Sequence, residues 1–406
     1  MEILDKMMDR DTWRDFLKYK MEKRHLSKAE QKELESFIDN ETYIPLLQDM
    51  KNPAFCPPIP VKREINKKGI SKKRVVYSYP VEFNILLKMT AYLLYRYDDI
   101  FEYNCYAFRR NYGAGDAIRR IRMTKKISWK YCLKSDISNY FNSIHVGLLL
   151  EKLEFLKEND KGLFLLFEKL LTADQAYWNG ETITEKRGAM AGIPVSPFLA
   201  NVYLMELDQY FAEKEVLYFR YSDDILIFAD TKEELCCFQK ELYDRIQDNH
   251  LLLNPAKVKI SSPGEEWEFL GFCYRNGKVD LSENTKCKIK GKIKRKAHAL
   301  RRWQAEKGLS GEKAAKGFIK AMNHILFDGG EGTEFSWSRW FFPNLTTDVG
   351  LKEIDAYLQQ YIRYCVTGRH YKGNYRITYE QMKEWGYRNL VYEYYQSKRD
   401  RKKQPH

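Results

Sequence analysis

Phe219-Arg220-Tyr221-Ser222-Asp223-Asp224-Ile225-Leu226-Ile227-Phe228 sets two adjacent carboxylates between apolar, aromatic-rich runs. Short runs of β-branched and aromatic residues bounded by turn-compatible ones read as strands, so this stretch predicts a β-hairpin with acid at its tip. Asp tolerates the unusual backbone of a tight turn. Two like charges side by side need either full solvation or a counter-charge, and a divalent cation supplies one. Taken alone, the stretch leaves both options open.

A second acid upstream narrows them. Ser135-Asp136-Ile137-Ser138-Asn139-Tyr140-Phe141 follows the strand-compatible Trp129-Lys130-Tyr131-Cys132-Leu133, so Asp136 falls where a strand ends and the chain turns toward a helix. An isolated acid there would be an ordinary N-cap. Beside Asp223 it would instead complete a pair of hard oxygen ligands from neighbouring strand ends, the kind that holds Mg²⁺ while phosphates and water fill the remaining positions. Such a pair serves in-line phosphoryl transfer, one ion activating the attacking hydroxyl and the other stabilising the leaving oxygen.

With both acids in view, the chain resembles bacterial reverse transcriptases. Asp136 to Phe141 resembles motif A, and Tyr221 to Asp224 resembles motif C. Between them, Gly188-Ala189-Met190-Ala191-Gly192-Ile193-Pro194-Val195-Ser196-Pro197-Phe198-Leu199-Ala200-Asn201-Val202-Tyr203-Leu204 resembles motif B. Leu251 to Lys257 is similar to motif D, and Glu268-Phe269-Leu270-Gly271-Phe272 to the primer-grip hairpin. The boxes stand in the family's order. The resemblance implies an α+β right-hand polymerase with fingers, a ferredoxin-like palm and a helical basic thumb. On this chain that gives an N-terminal helical extension at 1–50, fingers at 51–128, a palm at 129–280 with a fingers insertion between motifs A and B, and a thumb with an aromatic-rich end at 281–406.

The same resemblance implies residue roles. Asp136, Asp223 and Asp224 are the catalytic acids, with the Ile137 carbonyl as a further ligand for two Mg²⁺ ions, for which Mn²⁺ can substitute. Asp224 stands nearby without bridging, since adjacent strand residues point opposite ways. Lys257 would protonate the departing pyrophosphate, or be a surface lysine. Phe141 would sit under the sugar and exclude a 2′-hydroxyl, selecting deoxynucleoside triphosphates, or be simple core packing. Gly192, Ser196, Pro197 and Asn201 would shape the nucleotide pocket. Alternating apolar and basic residues predict a fingertip hairpin, Val61 to Ile65 and Lys72 to Tyr77 around a turn at 66–69, whose Lys73 and Arg74 would fold over the triphosphate. Tyr106 to Ile118 resembles the family's Gly-Phe-Arg box, where Arg109 and Arg110 would offer planar donors to phosphate, or form a loop capping the next helix. Tyr221, Phe269, Leu270 and Gly271 would touch nucleic acid.

Charge points the same way. The 406 residues carry a formal net charge of +13, which suits a polyanionic partner. Lys286 to Lys296 and on to Arg302 would cover most of a helix's circumference with cations, costly without a polyanion. Lys288, Lys292, Arg295, Lys296 and Arg302 are the candidates for a template–primer duplex, which is read mainly by backbone and shape. The partners implied are an RNA template, in the form of a structured non-coding RNA, and a DNA primer or product.

No apolar run is long enough to span a bilayer and the first residues lack a signal pattern, so no membrane and a cytoplasmic site are expected. Eight cysteines without Cys-x-x-Cys spacing are expected reduced and mostly buried, with Cys236-Cys237 in a helix. Residues 1–49 read as helical, with Ser27 to Glu30 as a capping box. The Tyr- and Trp-rich stretch from about Phe318 to His406, Phe335 to Pro343 included, would either stack on unpaired bases or form a small core. Ser222 replaces the commoner Ala of the catalytic box, and Gly-Ile-Pro-Val-Ser-Pro is nearer the retron form. Without endonuclease or RNase H patterns, these residues resemble the free-standing reverse transcriptases of the "unknown" groups and abortive-infection type, many of them tied to antiphage defence. Two rivals stay open: a protein-primed, template-independent DNA polymerase, and a non-catalytic RNA-binding scaffold.

Overall fold

The computed structural model describes residues 1–23, 26–66, 73–329 and 336–403. The fingertip turn at 67–72 and Phe335 lie outside the described residues. Helices Ile3–Lys6, Arg10–Lys23, Lys28–Asp39 and Tyr43–Lys51 open the chain. The capping box forms: the Ser27 N–H donates to Glu30 Oε2 at 3.0 Å and the Glu30 N–H to Ser27 Oγ at 3.2 Å. Trp13, fully buried, stacks on Tyr43 and donates its indole N–H to the Met7 carbonyl. Buried Asp160 accepts the Ile3 N–H at 2.7 Å and caps helix Lys161–Thr172 through the Leu163 N–H at 3.1 Å, which pins the extension at its first turn.

The strands are β1 (Val61–Asn66), β2 (Lys73–Ser78), β3 (Tyr131–Asp136), β4 (Gln175–Trp178), β5 (Glu181–Thr184), β6 (Leu217–Tyr221), β7 (Asp224–Ala229), β8 (Lys259–Ser261), β9 (Trp267–Phe269), β10 (Phe272–Arg275) and β11 (Lys278–Leu281). The basic hairpin β1–β2 joins the β4–β5 hairpin, inserted between motifs A and B, in one sheet of order β2-β1-β4-β5. A second sheet runs β6-β7-β3-β8, antiparallel throughout. Helices Ser196–Tyr203 and Met205–Glu213 lie between β3 and β6 in sequence, and Lys232–Asp248 between β7 and β8. That is the β-α-β-β-α-β order and strand arrangement of a ferredoxin-like palm. From Ile225 to Ala229, β7 is buried, as a central strand covered on both faces must be.

The chain divides into two compact units, Met1–Ala117 with Trp129–Pro263, and Ile118–Ser128 with Gly264–His406. The expected palm ran to residue 280, but β9–β11 belong to the second unit. The reason is local: Asp280 accepts the Gly350 N–H at 3.1 Å and the Thr346 N–H donates to the Val279 carbonyl at 2.9 Å, tying β11 to the start of helix Val349–Thr367.

In that second unit, helices Glu283–Glu306, Gly311–Asn323 and Val349–Thr367 pack on one another. The long basic helix is not cationic all round. Thr285, Ile289, Ile293 and Ala297, spaced four apart, form a buried stripe, and Lys286 and Lys290 both pair with Glu353. The aromatics divide as well: Tyr361, Tyr387 and Tyr394 are buried core, while Tyr371, Tyr375, Tyr392 and Tyr395 are exposed. All eight cysteines are free, but Cys56, Cys236, Cys237 and Cys287 are exposed, so the expectation of mostly buried thiols fails on the outer faces of two helices and a linker. No helix among the described residues is long and apolar enough to cross a membrane.

Candidate active site

Tyr221 pairs with Asp224, leaving Ser222 and Asp223 as a two-residue turn between β6 and β7. The left-handed backbone falls on Ser222, with φ of 60°, and not on an aspartate. A guanidinium braces that turn. Arg220, with no exposure, donates from Nη1 to the Ser222 carbonyl at 3.3 Å, from Nε to Asp208 Oδ1 at 2.7 Å, and from Nη2 to the other Asp208 oxygen. Tyr218 adds its hydroxyl to Asp208 at 3.0 Å. A buried ion pair is tolerable only when its remaining hydrogen-bonding groups are met, as these are.

Motif A comes alongside through the main chain. Asp136 stands opposite Asp224 in the β3–β7 ladder, and the Ile137 N–H donates to the Asp223 carbonyl at 3.0 Å. From the other edge, the Ser138 N–H donates to the Leu252 carbonyl at 2.8 Å and the Asn254 N–H to the Asp136 carbonyl at 2.7 Å. Motifs A, C and D are therefore laced together by peptide hydrogen bonds.

The electrostatics follow. Burial pushes the Asp223 carboxyl above the usual range, and the neighbouring Asp136 adds to it, while Lys257 and Arg74 pull the other way. Asp224 is pushed up to about 6, chiefly by burial. Lys257 Nζ lies 2.5 Å from Asp136 Oδ1, so the space before Asp136 accepts a cation. Among the described residues no three His, Cys, Asp or Glu side chains converge on one point. The donors are hard carboxylate oxygens in mutual repulsion, a set that fits divalent ions whose coordination substrate phosphates and water complete.

Motif B is held against motif A. The Ala189 N–H donates to the Phe141 carbonyl at 2.8 Å, and Asn142 Oδ1 accepts the Ala191 N–H at 2.9 Å. Gly188, at φ of 55°, and Gly192, at φ of 102°, leave no room for a Cβ, which would stand 2.6 Å from the Phe141 carbonyl and 2.8 Å from that of Tyr77. Ser196 is buried and donates to the Ala189 and Met190 carbonyls; Pro197 sits in the first turn of its helix. Asn201 is buried too, its amide donating to the Ala107 carbonyl at 2.7 Å, so it acts as a strut and not as a nucleotide contact. Lys73 and Arg74 are exposed on β2, Lys73 paired with Glu64 at 2.7 Å.

Two other expected contacts are corrected. Arg109 is buried and spends its guanidinium on Asp98 and the Glu102 and Cys105 carbonyls, whereas Arg110 is exposed. Phe269 has no exposure and is core; the β9–β10 turn presents Leu270 and Gly271, both at positive φ. Tyr221 is half-buried, and Lys288, Lys292, Arg295, Lys296 and Arg302 are exposed. Asn142, Phe108 and the Arg220–Asp208 pair were given no role from the sequence; an arginine inside an apolar strand was the available signal for the last.

The chain is 26% identical over 171 residues to the retron Ec83 reverse transcriptase of Escherichia coli, 38% of this chain and 52% of that one. It is 25% identical over 174 residues to the retron Ec86 reverse transcriptase of Escherichia coli, 42% of this chain and 50% of that one. It thus spans about half the length of these curated relatives. Among solved structures, telomerase from Candida albicans in complex with a fragment of telomeric RNA aligns over 86% of this chain and 68% of its own, at 12% identity and a TM-score of 0.46. The profile of the reverse transcriptase (RNA-dependent DNA polymerase) family matches residues 65–274, more than half of the chain. With the family's acids, sheet order and motif B in place, the chain belongs to the reverse transcriptase family, and its α+β palm is of the kind found in right-hand polymerases.

Proposed function

We propose that this chain is an RNA-directed DNA polymerase that copies a dedicated, structured non-coding RNA in the cytoplasm as part of antiphage defence. The observation that carries the catalytic part is the main-chain lacing that brings Asp136 beside Asp223, with a cation-accepting space in front of Asp136. Asp136 and Asp223 would hold two Mg²⁺ ions, or Mn²⁺ in their place, with the Ile137 carbonyl as a further donor and Asp224 as a neighbouring charge. When bound, such ions supply activation of the primer 3′-hydroxyl and neutralise the leaving pyrophosphate.

The protein's own groups do the rest. Lys73 and Arg74 grip the triphosphate, and the Arg74 charge already reaches Asp223. Phe141 walls off the 2′ position, the motif B backbone at Gly192 and Ser196 shapes the pocket, and Lys257 leaves Asp136 to protonate pyrophosphate. Arg110 and the exposed cations of helix Glu283–Glu306 hold the nucleic-acid backbone. The non-coding template and the defence role rest on the likeness to retron and abortive-infection enzymes.

The test is sequencing of nucleic acid that co-purifies with the wild type and with Asp223→Asn, before and after RNase and DNase. DNA complementary to one bound RNA, present only with the wild type, is the expected result. Random-sequence DNA joined to protein, or RNA without DNA in both samples, contradicts it.

A further inference from the structure

Phe108 holds a positive φ of 59°. An aromatic residue in the left-handed region is a steric outlier, and such strain persists only where the surroundings over-determine it. Here both flanks are anchored. The Tyr106 N–H donates to the Arg220 carbonyl at 2.9 Å, and the Ala107 carbonyl accepts the Asn201 amide at 2.7 Å. On the other side, the buried Arg109 guanidinium donates to the Glu102 carbonyl at 2.7 Å and the Asp98 carbonyl at 3.0 Å, and lies 4.0 Å over the Tyr112 ring. Between these anchors Phe108 alone is turned outward, 41% exposed.

The ring is not idle there. It meets Phe141 edge-on, with centroids 6.1 Å apart and planes at 70°, and Tyr221 at 6.4 Å. Phe141 is only half-buried, and its other ring neighbour, Tyr140, is fixed in the core by a hydroxyl bond to the Ala200 carbonyl. Phe141 packs against the core, and the strained, exposed ring of Phe108 stands beside it.

We propose that Phe108 is a specificity-determining residue: its ring backs Phe141 and denies it the rotation that would make room for a 2′-hydroxyl. This rests on the reading of Phe141 as the ring beneath the incoming sugar. The clamped loop gives sugar selection a second residue, supplied by a segment that precedes motif A.

The experiment is single-nucleotide incorporation on a defined RNA template, comparing kcat/KM for a deoxynucleotide and its ribonucleotide in the wild type, Phe108→Ala, Phe108→Gly, Phe108→Tyr and Phe141→Ala. The ratio is expected to fall about five- to tenfold in Phe108→Ala and Phe108→Gly, the worth of an edge-on aromatic contact. Phe108→Tyr, which keeps the ring, should retain it. Glycine accepts the positive φ, so a fall shared by both truncations reports the ring and not the backbone. Partial misfolding lowers both rates together and leaves the ratio intact. An unchanged ratio in both truncations beside a lowered one in Phe141→Ala overturns the role of Phe108 alone. An unchanged ratio in Phe141→Ala overturns the gate and Phe108 with it, and a wild type that incorporates nothing overturns the polymerase reading.

Discussion

At the level of single residues, the site is held by charges that never meet solvent. Arg220 and Asp208 are 0% and 1% exposed, so removing one partner strands the other. Arg220→Met should cost about 3–5 kcal/mol in urea unfolding, and Arg220→Met with Asp208→Leu should recover part of it. The acids carry a second expectation. The Asp224 pKa, raised to about 6, lies above its ordinary value of 3.8, so the folded protein binds a proton more tightly than the unfolded chain between those values. Stability of the metal-free protein should then fall as pH rises from about 4 to 6. Added Mg²⁺ should raise the melting temperature more at pH 7 than at pH 5; equal increments at both would contradict the carboxylate site. Asp136 and Asp223 were legible because few contexts put acids at the ends of two apolar strands. Arg109 was not, because one guanidinium suits a phosphate or a cage of carbonyls, and only burial distinguishes them.

Among the elements, the strands beside the two acids were readable from their short β-branched and aromatic runs, and the fingertip strands from alternation. The helix Glu283–Glu306 shows where that reading stops. Its cations hid an apolar stripe of Ile289, Ile293 and Ala297, and the partner of Lys286 and Lys290 is Glu353, more than sixty residues away in sequence. The placement of β9–β11 escaped for the same reason, since it depends on Asp280 finding the Gly350 amide. The exposed and paired cations should behave differently. Replacing Lys288, Lys292 and Arg295 with alanine should lower the slope of log affinity against log salt for an RNA–DNA hybrid by about 3. Lys286→Ala with Lys290→Ala should leave that slope nearly unchanged and lower the melting temperature instead. Equal slopes in the two variants would remove this helix from the interface.

For the whole molecule, a net charge of +13 becomes meaningful through its placement: exposed cations on one long helix and on β2, acids gathered at the end of β3 and the β6–β7 turn. Taken by itself, the helix offers its cations to a polyanion's backbone, and the palm gathers acids that suit a divalent ion. The reaction proposed is templated DNA synthesis at Asp136 and Asp223. Primer extension on a defined RNA template, with deoxynucleoside triphosphates and Mg²⁺, tests it most directly when wild type and Asp223→Asn are run side by side. Full-length complementary DNA from the wild type, reduced about a thousandfold or more in the variant and abolished by chelation, is the predicted result. Equal extension by both proteins, or none from the wild type with any template, would contradict it.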